Sequence, residues 1–122
     1  MILLIEPDSI WQTIMRRHLG AGLVAADNSS SALDIAYKEL PDAVILELNL
    51  PDMPGLELLK IFRSNGSFAW LPILVLTHAA AKSDYEASLE HGVWDYLLKS
   101  EVSLPHIIAK TGNFLRAHQI NF

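Results

Sequence analysis

The chain has no cysteine among its 122 residues. Disulfide bonds, thiolate metal sites and cysteine nucleophiles are therefore excluded. The chain also lacks any apolar run near the ~18 residues that a membrane-spanning helix needs. Its amino terminus has neither the basic flank nor the length of a signal peptide. We therefore expect a cytoplasmic protein with no membrane partner.

Positive charge is also in short supply. The 9 Lys and Arg residues stand against 14 Asp and Glu residues, which gives a net charge of −5. Nucleic acids and anionic membranes bind basic patches, so we expect no nucleic acid partner for this domain. With 51% apolar and 19% charged residues, the composition is that of a compact globular domain. We assign residues 1–118 to that domain and residues 119–122 to a tail or to the start of a linker.

Short apolar runs alternate with segments of helical spacing along the chain. The predicted strands are residues 2–5, 23–26, 43–46, 72–77 and 93–98. The predicted helices begin near Ser9, after an N-cap at one of the serines 29–31, after Gly55, at Lys82 or Ser83, and at Ser103. Strands and helices that alternate at this spacing form a parallel sheet covered on both faces. Right-handed crossovers then favour a doubly wound α/β arrangement.

Glycine is absent from the segment after the first strand, where Glu6, Pro7 and Asp8 stand. A nucleotide or flavin phosphate site would need a glycine-rich turn there, so neither is predicted. Polar residues do stand at the carboxyl ends of four strands, and these are Glu6, Glu47, Thr77 and Lys99. The carboxyl ends of parallel strands meet at one edge of a doubly wound sheet. We therefore expect these four side chains to be neighbours.

Four segments carry a family resemblance, and these are Ile2–Glu6, Leu46–Gly55, Pro72–Thr77 and Gly92–Lys99. The second segment, with its Leu-Pro-Asp-Met-Pro-Gly turn, is the most specific of them. Along nearly its whole length the chain resembles the CheY-like receiver domains of two-component response regulators. The resemblance implies a flavodoxin-like (βα)5 fold with a five-stranded parallel sheet. It also implies a phosphorelay signalling module rather than an enzyme.

In receiver domains, two acids after the first strand and an aspartate after the third strand bind magnesium. That aspartate accepts a phosphoryl group, and a hydroxyl residue and a lysine bind the phosphoryl oxygens. An aromatic residue then rotates inward as the switch. By position, the resemblance assigns the hydroxyl to Thr77, the lysine to Lys99 and the switch aromatic to Tyr96.

The chain departs from the family at its acids. Glu47 stands in place of the phosphoacceptor aspartate, and Pro7 stands in place of the second acid, after Glu6. Magnesium demands oxygen ligands in near-octahedral geometry, and a misplacement of ~1 Å can cost ~10²-fold in a positioned reaction. We therefore predict a degenerate pseudo-receiver with no catalytic residue, no cofactor and no bound metal. Its remnant metal site consists of Glu6, Asp8 and Glu47, and its degenerate phosphoacceptor pocket consists of Glu47, Thr77 and Lys99.

Three hypotheses stand for Glu47: a mimic of the phosphorylated state, a static ion pair with Lys99, or a working phosphoacceptor. The first two make signalling independent of phosphate. The static pair is favoured between them, because one carboxylate lacks the charge and the oxygens of a phosphoryl group. The alternative function is an active magnesium-dependent receiver, in which Glu6 and Asp8 hold the metal and Asp52 takes the phosphoryl group.

The resemblance further implies protein partners in a signalling pathway, such as a histidine kinase, an output domain or a second receiver. In the family, the face formed by the fourth helix, the fifth strand and the fifth helix binds partners or a second copy. A homodimer through this face is therefore one expected form. Trp94, on the predicted fifth strand, is expected in the core, and Trp70 is a contact candidate if it is exposed.

Overall fold

The computed structural model describes residues 1–20 and 22–122. In this part of the chain five strands alternate with five helices: β1 (Ile2–Ile5), α1 (Ser9–Leu19), β2 (Leu23–Ala26), α2 (Ser29–Lys38), β3 (Ala43–Leu46), α3 (Gly55–Ser64), β4 (Ile73–Thr77), α4 (Lys82–Glu90), β5 (Asp95–Leu98) and α5 (Leu104–Ala117). The strands form one parallel sheet in the order β2-β1-β3-β4-β5. The predicted doubly wound α/β fold is confirmed. None of the described helices is long and apolar enough to span a membrane.

Both faces of the sheet are covered, which is why the strands are continuous apolar runs. Successive side chains of a strand point to opposite faces. Leu3 of β1 therefore packs with Phe62 of α3 on one face, where α2 also lies. Its neighbour Leu4 packs with Phe114 of α5 on the other face, where α1 also lies. Each face thus has a core of its own.

Several element boundaries differ by one or two residues from the sequence prediction: β4 begins at Ile73 rather than at residue 72, and α5 begins at Leu104 rather than at Ser103. The N-cap of α2 is Asn28 rather than a serine, and its side chain accepts a hydrogen bond from the Ser31 N–H at 2.9 Å. Asparagine and serine are both strong N-cap residues, so composition could not choose between them. β5 begins at Asp95 rather than at residue 93. The residue before it, Trp94, still donates its backbone N–H to the Ile73 carbonyl at 2.8 Å.

The two tryptophans near the amino ends of β4 and β5 are both exposed. Trp94 packs its ring against Phe114, with 5.5 Å between ring centroids. It nevertheless remains 43% exposed, so the prediction of a core position is wrong. Trp70 lies in the connection before β4 and is 91% exposed. It therefore meets the condition set for a contact candidate.

The loop after β3 folds back on the strand at Gly55. The Gly55 N–H donates to the Leu48 carbonyl at 2.7 Å. A Cβ atom at Gly55 would lie only 2.5 Å from the Leu48 Cα, so a side chain does not fit there. α3 begins at this close contact between two backbone segments, and the loop that carries Asp52 lies between them.

Candidate functional site

The four polar residues at the carboxyl ends of the strands lie together, as the topology predicts. β1 and β3 are neighbours, and their ladder continues one residue further, because the Glu47 N–H donates to the Ile5 carbonyl at 3.0 Å. β4 and β5 are also neighbours, and the Lys99 N–H donates to the Thr77 carbonyl at 2.8 Å. Each side chain therefore leaves the same edge of the sheet. All four residues, Glu6, Glu47, Thr77 and Lys99, are buried.

The ammonium group of Lys99 lies between the two glutamates. Its Nζ donates to the Glu6 Oε1 and, at 3.1 Å, to the Glu47 Oε1. The side chain of Lys99 is 1% exposed, and those of Glu6 and Glu47 are 3% exposed. Charges this deeply buried are tolerated when they are paired and hydrogen-bonded. We name these three residues, together with Thr77, the carboxylate–lysine cluster.

Glu47 receives more hydrogen bonds than any simple ion pair requires. The Thr77 hydroxyl and the Asn49 N–H (3.1 Å) donate to its Oε2, and the His78 N–H donates to its Oε1 at 3.2 Å. Burial by itself raises the pKa of this carboxyl. The hydrogen bonds from Thr77 and Asn49, together with the charge and hydrogen bond of Lys99, outweigh burial and lower the pKa of Glu47 below its ordinary value of 4.5. Glu47 is therefore the firmly ionised partner of Lys99.

Glu6 shares the same ammonium group but has fewer donors. Besides Lys99, the Asp8 N–H donates to its Oε2 at 3.2 Å. Burial raises the pKa of Glu6, and the opposing effects of Lys99 and of the Asp8 N–H do not cancel this shift. The nearby charge of Glu47 adds to it. The pKa values of the two glutamates thus shift in opposite directions, although both carboxylates bond to the same ammonium group. The reason is that only Glu47 also accepts hydrogen bonds from a hydroxyl and two backbone amides.

The other two acids near this edge, Asp8 and Asp52, accept hydrogen bonds from backbone N–H groups at the starts of helices. Asp8 is exposed and caps α1, since its carboxylate accepts the Ile10 N–H at 2.8 Å. Asp52 accepts the N–H groups of Ser29 (2.9 Å) and Ser30 (3.0 Å) at the start of α2. These bonds, the one from Ser29 above all, lower the pKa of Asp52. Neither residue contributes a carboxylate to the carboxylate–lysine cluster.

Tyr96 is linked to the cluster through the backbone after β4. Its hydroxyl donates to the Ala79 carbonyl at 2.5 Å, and the Ala79 N–H donates to the Thr77 hydroxyl oxygen at 3.0 Å. Its ring lies edge-on to that of Tyr85, at 5.4 Å between centroids. Burial, with the charges of Asp84 and Glu47, raises the pKa of Tyr96 to about 12, so the phenol stays a donor.

Trp11 is a residue at this site that the sequence reasoning missed. It lies in α1, and its ring centroid is 4.7 Å from the Lys99 Nζ. The available signal was its position in the first turn of α1, which follows Glu6, Pro7 and the N-cap Asp8 at the same edge of the sheet. An aromatic residue in that turn is well placed to meet the lysine that follows β5.

Comparison with known proteins places the chain in a family. The model of the response regulator receiver domain matches residues 2–111. The chain belongs to this family. It is 36% identical over 118 residues to the response regulator MprA of Mycolicibacterium vanbaalenii, an alignment that covers 94% of this chain and 50% of that protein. This receiver domain thus spans about half the length of the curated relatives that it matches.

Two solved structures show the same fold, at similar sequence identity to this chain. A putative response regulator from Chloroflexus aurantiacus is 29% identical, with a TM-score of 0.78 and coverage of 94% of this chain and 96% of that chain. The BeF3-activated N-terminal receiver domain of RstA from Klebsiella pneumoniae is 28% identical, with a TM-score of 0.78 and coverage of 94% and 97%. The fold is thus the flavodoxin-like fold of CheY-like receivers.

The residues at this edge differ from the magnesium site that the family resemblance implies. One oxygen of Glu6 and one of Glu47 already bond to the Lys99 ammonium group. Pro7 offers no carboxylate, and Asp8 faces the start of α1. Across residues 1–20 and 22–122, no three His, Asp or Glu side chains are grouped so that they could hold a metal ion. A lysine side chain takes the central position among the acids instead.

Proposed function

We propose that this receiver domain acts through protein–protein contacts and that its signalling does not depend on phosphorylation. The observation that carries the proposal is the pairing of Lys99 with both Glu6 and Glu47. Phosphoryl transfer works chiefly by positioning and by neutralising charge with a metal ion. In this domain the residues at the positions for these two tasks, Glu6, Glu47 and Lys99, are bonded to one another. The domain is a signalling module rather than an enzyme in this proposal.

The state of Glu47 supports the same conclusion. Both of its carboxylate oxygens accept two hydrogen bonds each, from Lys99 and His78 on one oxygen and from Thr77 and Asn49 on the other. An attacking nucleophile would have to give up these bonds. Its extra methylene also moves the carboxylate by about 1.5 Å relative to an aspartate. We favour a static pocket held in one conformation by these bonds.

The test is a titration of the labelled domain with magnesium and either beryllofluoride or acetyl phosphate. Backbone amide signals of Thr77, Tyr96 and Lys99 report on the pocket. We expect no saturable shift in the wild type. Saturable shifts at these amides would favour the alternative of an active receiver that uses Asp8 or Asp52.

The matched positive control is the double variant Pro7→Asp with Glu47→Asp, which returns both lost aspartates. We expect it to bind magnesium and to show shifts at the same three amides. If the double variant also stays silent, the lost carboxylates are not the whole explanation. The Lys99 pairing would then be the remaining barrier to the metal.

The proposed partners are a histidine kinase, an output domain or a second receiver, met in the cytoplasm. We place the contact on the face formed by α4, β5 and α5. Tyr85 is 46% exposed on this face and packs against Tyr96. The Lys110–Asp95 pair (3.3 Å) adds a half-exposed charge pair from α5 and β5. A homodimer would use the same face, and loss of self-association in Tyr85→Ala, measured by sedimentation, would support that form.

A further inference from the structure

The carboxylate–lysine cluster lies against the indole ring of Trp11. This ring belongs to the first turn of α1 and is half-buried, whereas the Lys99 side chain beside it is 1% exposed. The distance of 4.7 Å from the Nζ to the ring centroid is within the ~6 Å range of cation–π contacts. Trp11 therefore stands between the ammonium group and part of the surrounding solvent.

The chemistry of lysine makes this contact consequential. An ammonium group is compact and strongly hydrated, and a lysine near the surface normally extends its charged end into water. Lys99 does the opposite, because two of its N–H groups donate to Glu6 and Glu47. A third side of the ammonium group faces the π-surface of Trp11. The ring supplies negative electrostatic potential at a position where water would otherwise bind.

We infer that Trp11 is a positioning residue that keeps Lys99 between Glu6 and Glu47 and closes the cluster to water and divalent cations. It works from the solvent side, while the two glutamates work from the sheet. The inference deepens the proposed function and rests on it, because it names the group that keeps the pocket static. Neither the receiver resemblance nor the family match assigns a role to this position.

The structure also indicates what would follow from losing the ring. Trp11 packs against the core under α1 and α5, so a smaller side chain opens space directly above the Lys99 Nζ. Water could then solvate the ammonium group, and Lys99 could leave the glutamates. Glu6 and Glu47 would be left as two adjacent carboxylates without a cation. Such a pair attracts divalent metal ions.

The experiment follows the ammonium protons of Lys99 in the nitrogen-15-labelled domain. The variants are Trp11→Phe, which keeps a smaller aromatic face, and Trp11→Leu, which keeps apolar volume without one. Trp70→Leu is the matched control, because Trp70 is 91% exposed and lies at the opposite end of the sheet. The first measurement is the exchange rate of the Lys99 ammonium protons with water. The second is paramagnetic broadening of the Glu6, Glu47 and Lys99 signals by Mn²⁺.

We expect the slowest exchange in the wild type and in Trp70→Leu, an intermediate rate in Trp11→Phe, and a rate roughly tenfold higher in Trp11→Leu. Mn²⁺ should broaden the cluster signals in Trp11→Leu and not in the wild type. Equal exchange rates in the wild type and both Trp11 variants, without Mn²⁺ broadening, would overturn the inference. Should Trp11→Leu not fold, Trp11→Phe decides, and a wild-type rate there overturns it.

Failure of the proposed function has a different signature. It would show as a response of the wild type to magnesium with beryllofluoride, whatever the Trp11 variants do. Failure of the Trp11 inference would leave the wild type silent and the ammonium exchange unchanged by substitution. The ammonium exchange measurement uses no phosphoryl analogue, and the titration with magnesium and beryllofluoride uses no Trp11 variant. The two failures can therefore be told apart.

Discussion

Two shielded cations stand at opposite ends of the sheet, and they are satisfied in different ways. At the carboxyl ends of the strands, Lys99 is neutralised by the carboxylates of Glu6 and Glu47. At the amino ends, the guanidinium group of Arg63 is half-buried and donates to backbone carbonyls. Its acceptors are the carbonyls of Leu71 (2.7 Å), Ala69 (3.2 Å), His91 (2.7 Å) and Gly92 (3.3 Å).

The two ends therefore differ in what holds each cation in place. Arg63 uses its planar fork to join the loop before β4 to the loop before β5, and no side-chain acid is involved. Lys99, which follows β5, bonds to side chains at the ends of β1 and β3. A cluster of charges is sensitive to losing any one member, because the others stay buried without compensation. The hydrogen bonds from Arg63 to backbone carbonyls depend instead on the planar, forked shape of its guanidinium group.

The first prediction removes the cation of the cluster. Lys99→Met leaves two buried carboxylates unpaired, and we expect a loss of about 3–5 kcal/mol in the free energy of unfolding at pH 7. Urea denaturation measures it. Lowering the pH should recover part of the loss, because protonation neutralises the carboxylates.

Lys110→Met is the matched control for this prediction. Its pair with Asp95 is partly exposed, and we expect a loss of at most about 1 kcal/mol in the free energy of unfolding. Equal losses in the two variants would contradict the prediction.

The second prediction changes the donor at the other end and keeps its charge. Arg63→Lys cannot reach both loops with one ammonium group, so several carbonyls lose their partner. We expect a loss of about 2 kcal/mol, measured by the same denaturation. Arg116→Lys, on the exposed side of α5, is the control and should lie within about 0.5 kcal/mol of the wild type. If Arg63→Lys were as stable as this control, the charge rather than the fork would be what matters.

The third prediction concerns pH and separates the two glutamates. The lowered pKa of Glu47 contributes stability that is present above its ordinary value of 4.5 and is lost as the pH falls through the folded value. The raised pKa of Glu6 works the other way, since its contribution is present at low pH and is lost as the pH rises. Glu47→Gln should therefore flatten the acid-side loss of stability. Glu6→Gln should steepen it, and the opposite ranking would show that the assignments are reversed.

The fourth prediction has the smallest effect and concerns an exposed aromatic residue. Trp70→Ser should change the free energy of unfolding by no more than about 0.5 kcal/mol, because the ring is 91% exposed. Thermal unfolding followed by circular dichroism measures it. A large loss would mean that Trp70 supports the Arg63 loops, since Ala69 and Leu71 on either side of it are Arg63 acceptors.

Much of the fold could be predicted because apolar runs ended by polar residues mark buried strands. β1, β2 and β3 have the predicted bounds to the residue. The N-cap of α2 and the start of β5 could not be fixed in this way. Asn28 and its neighbouring serines are equally able to cap, and Val93 and Trp94 are as apolar as the strand that follows them. In both places the choice depends on where the backbone lies relative to the rest of the chain.

The positions of Glu6, Glu47, Thr77 and Lys99 along the chain were enough to predict that these residues would meet, because parallel strands bring their carboxyl ends to one edge of the sheet. The same positions showed that Pro7 offers no acid there. How these groups share their bonds is visible only in the folded chain. Lys99 bridges both glutamates, Asp52 caps α2 and Trp11 lies against the ammonium group. Such pairings depend on side-chain reach and burial across distant segments, which spacing along a chain does not encode.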